Sequence, residues 1–319
     1  MNIIKNRYLY FLISVLVIIP GLVFMGIHWS QNPAEGVLPL GIDFTGGSLL
    51  EVQFADGSQP DAATVAEIYN NLADADNEIS DPIIQLLGTD AISAKSKAMS
   101  DAKKGEIIAA LSEKTGTEVT VLNFTSVSPA VGQEVARAAA GAVGMAAIAI
   151  LIYIWFAFRS VQHAIRYGTA AILAMLHDVL VVVGVEAILG VTLGWEADSL
   201  FLTAVLTVIG FSVHDTIVVF DRIRENLGIY RKVEFEKVVN HSIMQTLDRS
   251  INTQLTVMFT LFAMVLFGGD SIRHFVIILL VGVFSGTYSS IFNAAPILVV
   301  WENQEWKNWF RKTPVGETA

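Results

Sequence analysis

The sequence has no cysteine, and only 16% of its residues are charged. The first absence excludes disulfides, thiol chemistry and zinc–thiolate sites. The second lies well below the roughly one quarter charged of a soluble domain and points to a membrane protein. Nucleotide chemistry is missing too. "GIDFTGG", residues 41–47, is rich in glycine, but no Gly-Lys-Ser/Thr follows it to hold phosphate and magnesium. Nor does a second copy exist to complete an acid-protease carboxylate pair. A net charge of −10 argues against a nucleic-acid partner. No enzyme, metal or prosthetic group is implied.

What is present is apolar: 53% of the chain. It is concentrated in six runs near 8–29, 135–158, 167–190, 199–222, 246–268 and 273–300, each long enough to cross a bilayer as a helix of ~20 residues. The first lacks a small-residue cleavage site and reads as a retained anchor. Basic residues cluster before the first run (Lys5, Arg7) and between the second and third (Arg159, Arg166). They recur between the fourth and fifth (Arg222, Arg224, Arg231, Lys232, Lys237) and after the last (Lys307, Arg311, Lys312). The opposite short loops hold Glu196, Asp198 and Asp270, with Arg273 the one base. Both termini are therefore expected in the cytoplasm.

The expected organisation is an N-terminus with helix 1 (1–29), an extracytoplasmic head (30–133), helices 2–6 (134–303) and a cytoplasmic tail (304–319). Residues 226–245 are basic and mildly amphipathic, which predicts a helix lying along the cytoplasmic interface in contact with lipid. Within the head, "SLLEVQF", "PIIQLLG", "AISAKSKAM" and "TEVTVLNF" read as strands. "DAATVAEIYNNLAD" and "DAKKGEIIAALSEKTG" read as helices. The order βαββαβ predicts a ferredoxin-like α+β domain. In "GIDFTGG", Gly41, Gly46 and Gly47 permit special backbone angles while Asp43 makes a local turn bond, so a turn or hinge entering the first strand is expected.

Charges inside the apolar runs carry the functional signal. Helix 3 holds His177 and Asp178, helix 4 holds His214 and Asp215, and helix 5 holds Arg249. Each ionised group at mid-bilayer costs at least ~2.5–3.5 kcal/mol, so such residues normally face the bundle and pair. Depth makes an Asp215–Arg249 contact possible. A structural salt bridge explains that pair; a proton relay also explains the surplus acid Asp178. The histidines fit interhelical hydrogen bonds. Glu186, nearer the outer end of helix 3, is expected to reach the interface. Gly282 and Gly286 in "GVFSG", with Gly141 and Gly144 in "GAVG", predict close helix packing.

With "GIDFTGG", "VSPAVGQE", "LHDV", "GFSVHDTIVVFDRIREN", "QTLDRS" and "GTYSSIFNAAPIL" in the right places, the chain resembles the SecD–SecF family of protein-export membrane subunits over nearly its whole length. The smaller, SecF-type members match best. His214 stands where that family usually has Asn. The family belongs to the resistance–nodulation–division superfamily, in which two six-helix halves surround a proton path. The resemblance implies a multi-pass protein of the bacterial cytoplasmic (inner) membrane that works with SecD, which supplies the other half. It implies work beside the Sec translocon channel on exported polypeptides, with protons as the coupling ion. By motif position Asp215 and Arg249 are the coupled acid–base pair and Asp178 is secondary. Pro129 and Gly132 of "VSPAVGQE" form the second joint of the head. A proton-driven exporter of small molecules or lipids, and a passive translocon scaffold, are the competing readings.

Overall fold

The computed structural model describes residues 2–309 apart from 34–35, 56, 58, 74–78, 80–81 and 160–162. Residues 310–319 of the expected tail, with Arg311 and Lys312, lie outside the described residues. Two compact units form, residues 40–142 and residues 1–39 with 143–319. The boundary falls inside one long helix.

In the first unit a single helical turn, α2 (Ile42–Thr45), precedes β1 (Gly47–Phe54). Then come α3 (Ala62–Leu72), β2 (Ile83–Leu87), β3 (Ala91–Ser96), α4 (Asp101–Thr115) and β4 (Val119–Val127). The sheet is antiparallel in the order β2-β3-β1-β4, the ferredoxin-like arrangement. Alternation decides which face is covered: Leu50, Val52 and Phe54 of β1 and Ile92 and Ala94 of β3 are buried with Val65, Tyr69, Ile107 and Leu111 of the two helices. Both helices start where the sequence supplies a cap. Asp61 accepts from Thr64 N at 3.0 Å and Ser100 from Lys103 N at 3.4 Å. Helix α4 ends on Gly116 in the left-handed region, φ 69°.

The second unit is a helical bundle. Among the described residues six helices are long and apolar enough to span a membrane. They are α1 (Arg7–Gln31, preceded by a 3-10 turn), α5 (Pro129–Phe158), α6 (Ala164–Leu193), α7 (Ser199–Ile229) and α8 (Phe235–Phe267), with a last span in three parts. That last span is α9 (Asp270–Ser289), a π turn (Ser290–Ala294) and α10 (Ala295–Glu302); α11 (Trp306–Trp309) follows. Half of the most apolar stretch of α6 and of α7 is buried, against 11% for α1 and α5. The core therefore runs through α6, α7 and the last span, while α1 and α5 keep apolar faces uncovered. No separate interfacial helix occupies 226–245. Residues up to Ile229 continue α7 and those from Phe235 begin α8, where Val238, Val239 and Ile243 are buried. The apolar stripe that suggested a helix on the lipid surface is the stripe that packs into the bundle.

Small residues let the core helices meet. A Cβ on Gly21 of α1 would stand 2.5 Å from Gly184 Cα of α6. Gly282 lies against the Val208 side chain of α7 and Gly286 against Ser212, whereas Gly141 and Gly144 of α5 meet nothing within 4 Å.

Candidate functional site

Asp178 is fully buried on α6. Its Oδ2 accepts from Ser212 Oγ of α7 and from Ser289 Oγ of α9, both at 2.5 Å. Its Oδ1 accepts from Ser285 Oγ at 2.7 Å and lies 3.0 Å from His177 Nδ1. Ser285 and Ser289 are four residues apart, so both hydroxyls fall on one helix face. The π turn that begins at Ser290 continues this polar seam, a local winding that often marks functional sites. Ser290 Oγ donates to the Ser212 carbonyl at 3.1 Å, and Asn293 and Ser14 of α1 bond at 2.8 Å. Hydroxyls from two neighbouring helices thus satisfy both oxygens of a buried carboxylate, the condition for keeping it there.

Asp215 is served differently. It is buried on α7, and among the described residues one side-chain donor reaches it, Gln254 Nε2 of α8 at 2.6 Å. Among the described residues Gln254 Oε1 and the Ser250 hydroxyl, one turn earlier on α8, are buried with no partner. A polar cluster with unused hydrogen-bonding capacity is poised to rearrange.

Arg249 does not form an ion pair with Asp215. It is exposed beside Ser250 and lines a 440 Å³ cleft with Tyr153, Ala157 and Phe158 of α5 and Ile217, Val218, Asp221 and Arg224 of α7. His214 is exposed, about 100° around α7 from Asp215. His177 is buried: its Nδ1 faces Asp178, while its Nε2 has no partner among the described residues and the residue borders a 230 Å³ apolar cavity between α1, α6 and α9.

Glu186 corrects an expectation. It does not reach an interface; it is fully buried, with Oε2 2.7 Å from His274 Nε2 of α9. Sequence reasoning also missed Ser212, Ser285, Ser289, Gln254 and His274. The one available signal was the density of hydroxyls in "FSGTYSS", unusual for an apolar span.

The glycine motifs sit in the smaller unit. Gly41 caps α2, Asp43 lies within it, and Gly46 and Gly47 follow with φ of 76° and 132°. Pro129 opens α5, and a Cβ on Gly132 would stand 2.7 Å from Gly46 N. The two joints of the head therefore touch, backbone to backbone. Among the described residues no group of three or more His, Cys, Asp or Glu is placed to hold a metal ion.

Comparison with known proteins agrees with this architecture. The family profile described as "Protein export membrane protein SecD/SecF, C-terminal" matches residues 107–304, and that of the "SecD/SecF GG Motif" matches 37–57. The chain is 53% identical over 313 residues to a protein translocase subunit SecF of Anaerolinea thermophila, covering 98% of this chain and 97% of the relative. It is 45% identical to the corresponding subunit of Thermobaculum terrenum, covering 98% and 97%. Among solved structures it matches SecDF, a translocon-associated membrane protein from Thermus thermophilus, with a TM-score of 0.77 and 29% identity. That match covers 95% of this chain but only 39% of the longer SecDF polypeptide. The chain is thus a multi-pass membrane protein that belongs to the SecD/SecF family of protein-export membrane proteins and is similar to its SecF subunits over its whole length.

Proposed function

We propose that this chain is the SecF-type half of an accessory unit of the Sec translocase, coupled to the proton-motive force and acting with a SecD-type partner to promote polypeptide export. The partner supplies the second set of helices, and the faces of α1 and α5 left uncovered are surfaces for it or for lipid. The unit works beside the translocon channel, with both termini cytoplasmic and the head outside, as the distribution of Lys and Arg favours.

The observation that carries the reading is Asp215: a buried carboxylate that one side-chain donor reaches among the described residues, next to α8, where Gln254 Oε1 and Ser250 Oγ are buried without partners among them, and within electrostatic reach of the exposed cation Arg249. Protonation of such a group changes which partners it holds, and so shifts the balance between two packings of α7 and α8. Asp178, by contrast, is an anchor tying α6 to α7 and α9. One proton crossing 100 mV supplies about 2.3 kcal/mol, enough to bias a conformational equilibrium against backsliding of the polypeptide.

The test is proton-gradient-stimulated export in reconstituted membranes containing the translocon, the SecD-type partner and this chain. Asp215→Asn should assemble normally and lose the stimulation. Full stimulation with normal assembly would leave the chain a passive scaffold.

A further inference from the structure

Glu186 and His274 lie outside the site above. The carboxylate is sealed, with Oε2 2.7 Å from the imidazole and Oε1 buried without a partner among the described residues. The imidazole is not sealed: the His274 side chain is 21% exposed, and Trp195 packs on it with ring centroids 4.3 Å apart. An acid at zero exposure is thus joined to solvent through one titratable ring.

The pair is also placed on a line toward the core. Glu186 is eight residues beyond Asp178 on α6, about 12 Å along the axis. Val181 and Val185, between them, and His177, the residue before Asp178, line the 230 Å³ cavity, with Val281 and Phe284 facing them from α9. One end of this cavity is the residue next to Glu186. The other is His177, whose Nε2 is unpartnered and whose Nδ1 faces Asp178.

We propose that Glu186 and His274 form a second protonation site, a proton-loading pair at the end of the bundle away from Arg249. A proton taken up at His274 Nδ1 is matched by release of the Nε2 proton to Glu186 Oε2. The ring returns to neutral with its tautomer exchanged, and the carboxyl becomes neutral. A neutral carboxyl satisfies its buried oxygens at lower cost than a charged one. Within the unit that holds the pair, the other described ionisable groups at this end are His28 of α1, Glu196 and Asp198 of the α6–α7 connection, and Arg273 of α9. Asp198 is engaged in capping α7 at Phe201 N. The inference rests on the proton-coupled reading given above.

The experiment reconstitutes the full chain with its SecD-type partner in vesicles holding a pH-sensitive dye and compares Glu186→Gln, His274→Gln and Asp215→Asn. Glu186→Gln and His274→Gln should each lower proton flux by about 100-fold, the scale of a lost proton-transfer group, and remove its dependence on the pH at that face. Infrared difference spectra of the unaltered protein should gain a carboxylic-acid band on acidification that Glu186→Gln removes. If Glu186→Gln keeps normal flux and pH profile while Asp215→Asn is inactive, the loading pair is overturned and the proton-coupled function stands. If Asp215→Asn conducts like the unaltered protein, the functional reading fails, and the infrared band alone decides whether the pair is protonated. Should Glu186→Gln not assemble, His274→Gln decides, because it keeps a donor for Glu186; normal flux in it overturns the proposal.

Discussion

Gly46 and Pro129 meet backbone to backbone: a Cβ on Gly46 would stand 2.6 Å from the Pro129 Cα and 2.8 Å from its nitrogen. Gly46 also has φ 76°, a conformation costly to any residue with a side chain. The entry to β1 and the start of α5 are therefore clasped together. Gly46→Ala is expected to destabilise the smaller unit by about 2–4 kcal/mol, the sum of backbone strain and displacement. Thermal unfolding followed by proteolysis of the head measures it. An unshifted midpoint would show that the clasp opens at no cost.

Gly282 faces Val208 so closely that a Cβ would come within 2.0 Å of Val208 Cγ2. Gly282→Ala should cost about 1–3 kcal/mol by overpacking. Val208→Ala leaves room for the added methyl, so the double variant should regain part of that loss. Additive losses in the double-mutant cycle would contradict direct contact between these positions.

The two membrane carboxylates should separate by stability. Asp178→Ala strands the hydroxyls of Ser212, Ser285 and Ser289, and is expected to cost about 3–5 kcal/mol. Asp215→Asn should cost under about 1 kcal/mol, because the Gln254 amide can turn its unpartnered Oε1 toward the new donor. Denaturation midpoints in detergent compare the two, and equal losses would refute the division into anchor and switch.

Tyr8 and Arg7 hold Glu305 where the chain leaves the last span. Arg7 Nη2 lies 2.6 Å from Glu305 Oε1, and Tyr8 OH donates to Oε2 at 2.6 Å. Burial by itself raises the Glu305 carboxyl, but the bonds from Tyr8 and Arg7 outweigh it and hold the group below its ordinary range. For a depressed carboxylate the stabilisation is present above the unfolded value, near 4.5, and is lost as pH falls through the folded one. Glu305→Gln should therefore lower stability at neutral pH, and its gap from the unaltered protein should close on acidification. A gap that is constant from neutral to acid pH would count against the charge as its cause.

The spans, the βαββαβ head and the placement of acids on α6 and α7 were legible because each is a periodic or local signal. Hydropathy marks a helix at its own residues, and Asp61, Ser100 and Gly116 cap the helices they adjoin. What escaped is pairing at long sequence separation. Nothing local says that Ser285 and Ser289 turn toward Asp178, more than a hundred positions earlier, or that Glu186 meets His274. Interface position alone made Glu186 look like a surface residue. The same limit explains Arg249: depth brought it level with Asp215, but rotation about α8 presents Gln254 instead. Helix register sets depth from sequence, while azimuth depends on which faces the neighbours accept.

That azimuth gives Arg249 a testable role of its own. In the arrangement observed it stands in the cleft beside Asp221 and Arg224, and Gln254 occupies the Asp215 carboxylate. If proton release from Asp215 draws the guanidinium inward, the two positions must act as a unit, and charge matters more than shape. Arg249→Lys keeps the charge but loses the planar fork, and should retain part of the gradient-stimulated export. Arg249→Met should fall to the level of Asp215→Asn, and the double variant should fall no further. Gln254→Leu tests the other side of the exchange: with the competing donor gone, Asp215 should favour Arg249 and the dependence on the gradient should weaken without loss of assembly. Export assays on this set decide the matter. Independent, multiplicative losses at positions 215 and 249 would mean that the arginine serves the cleft and not the carboxylate.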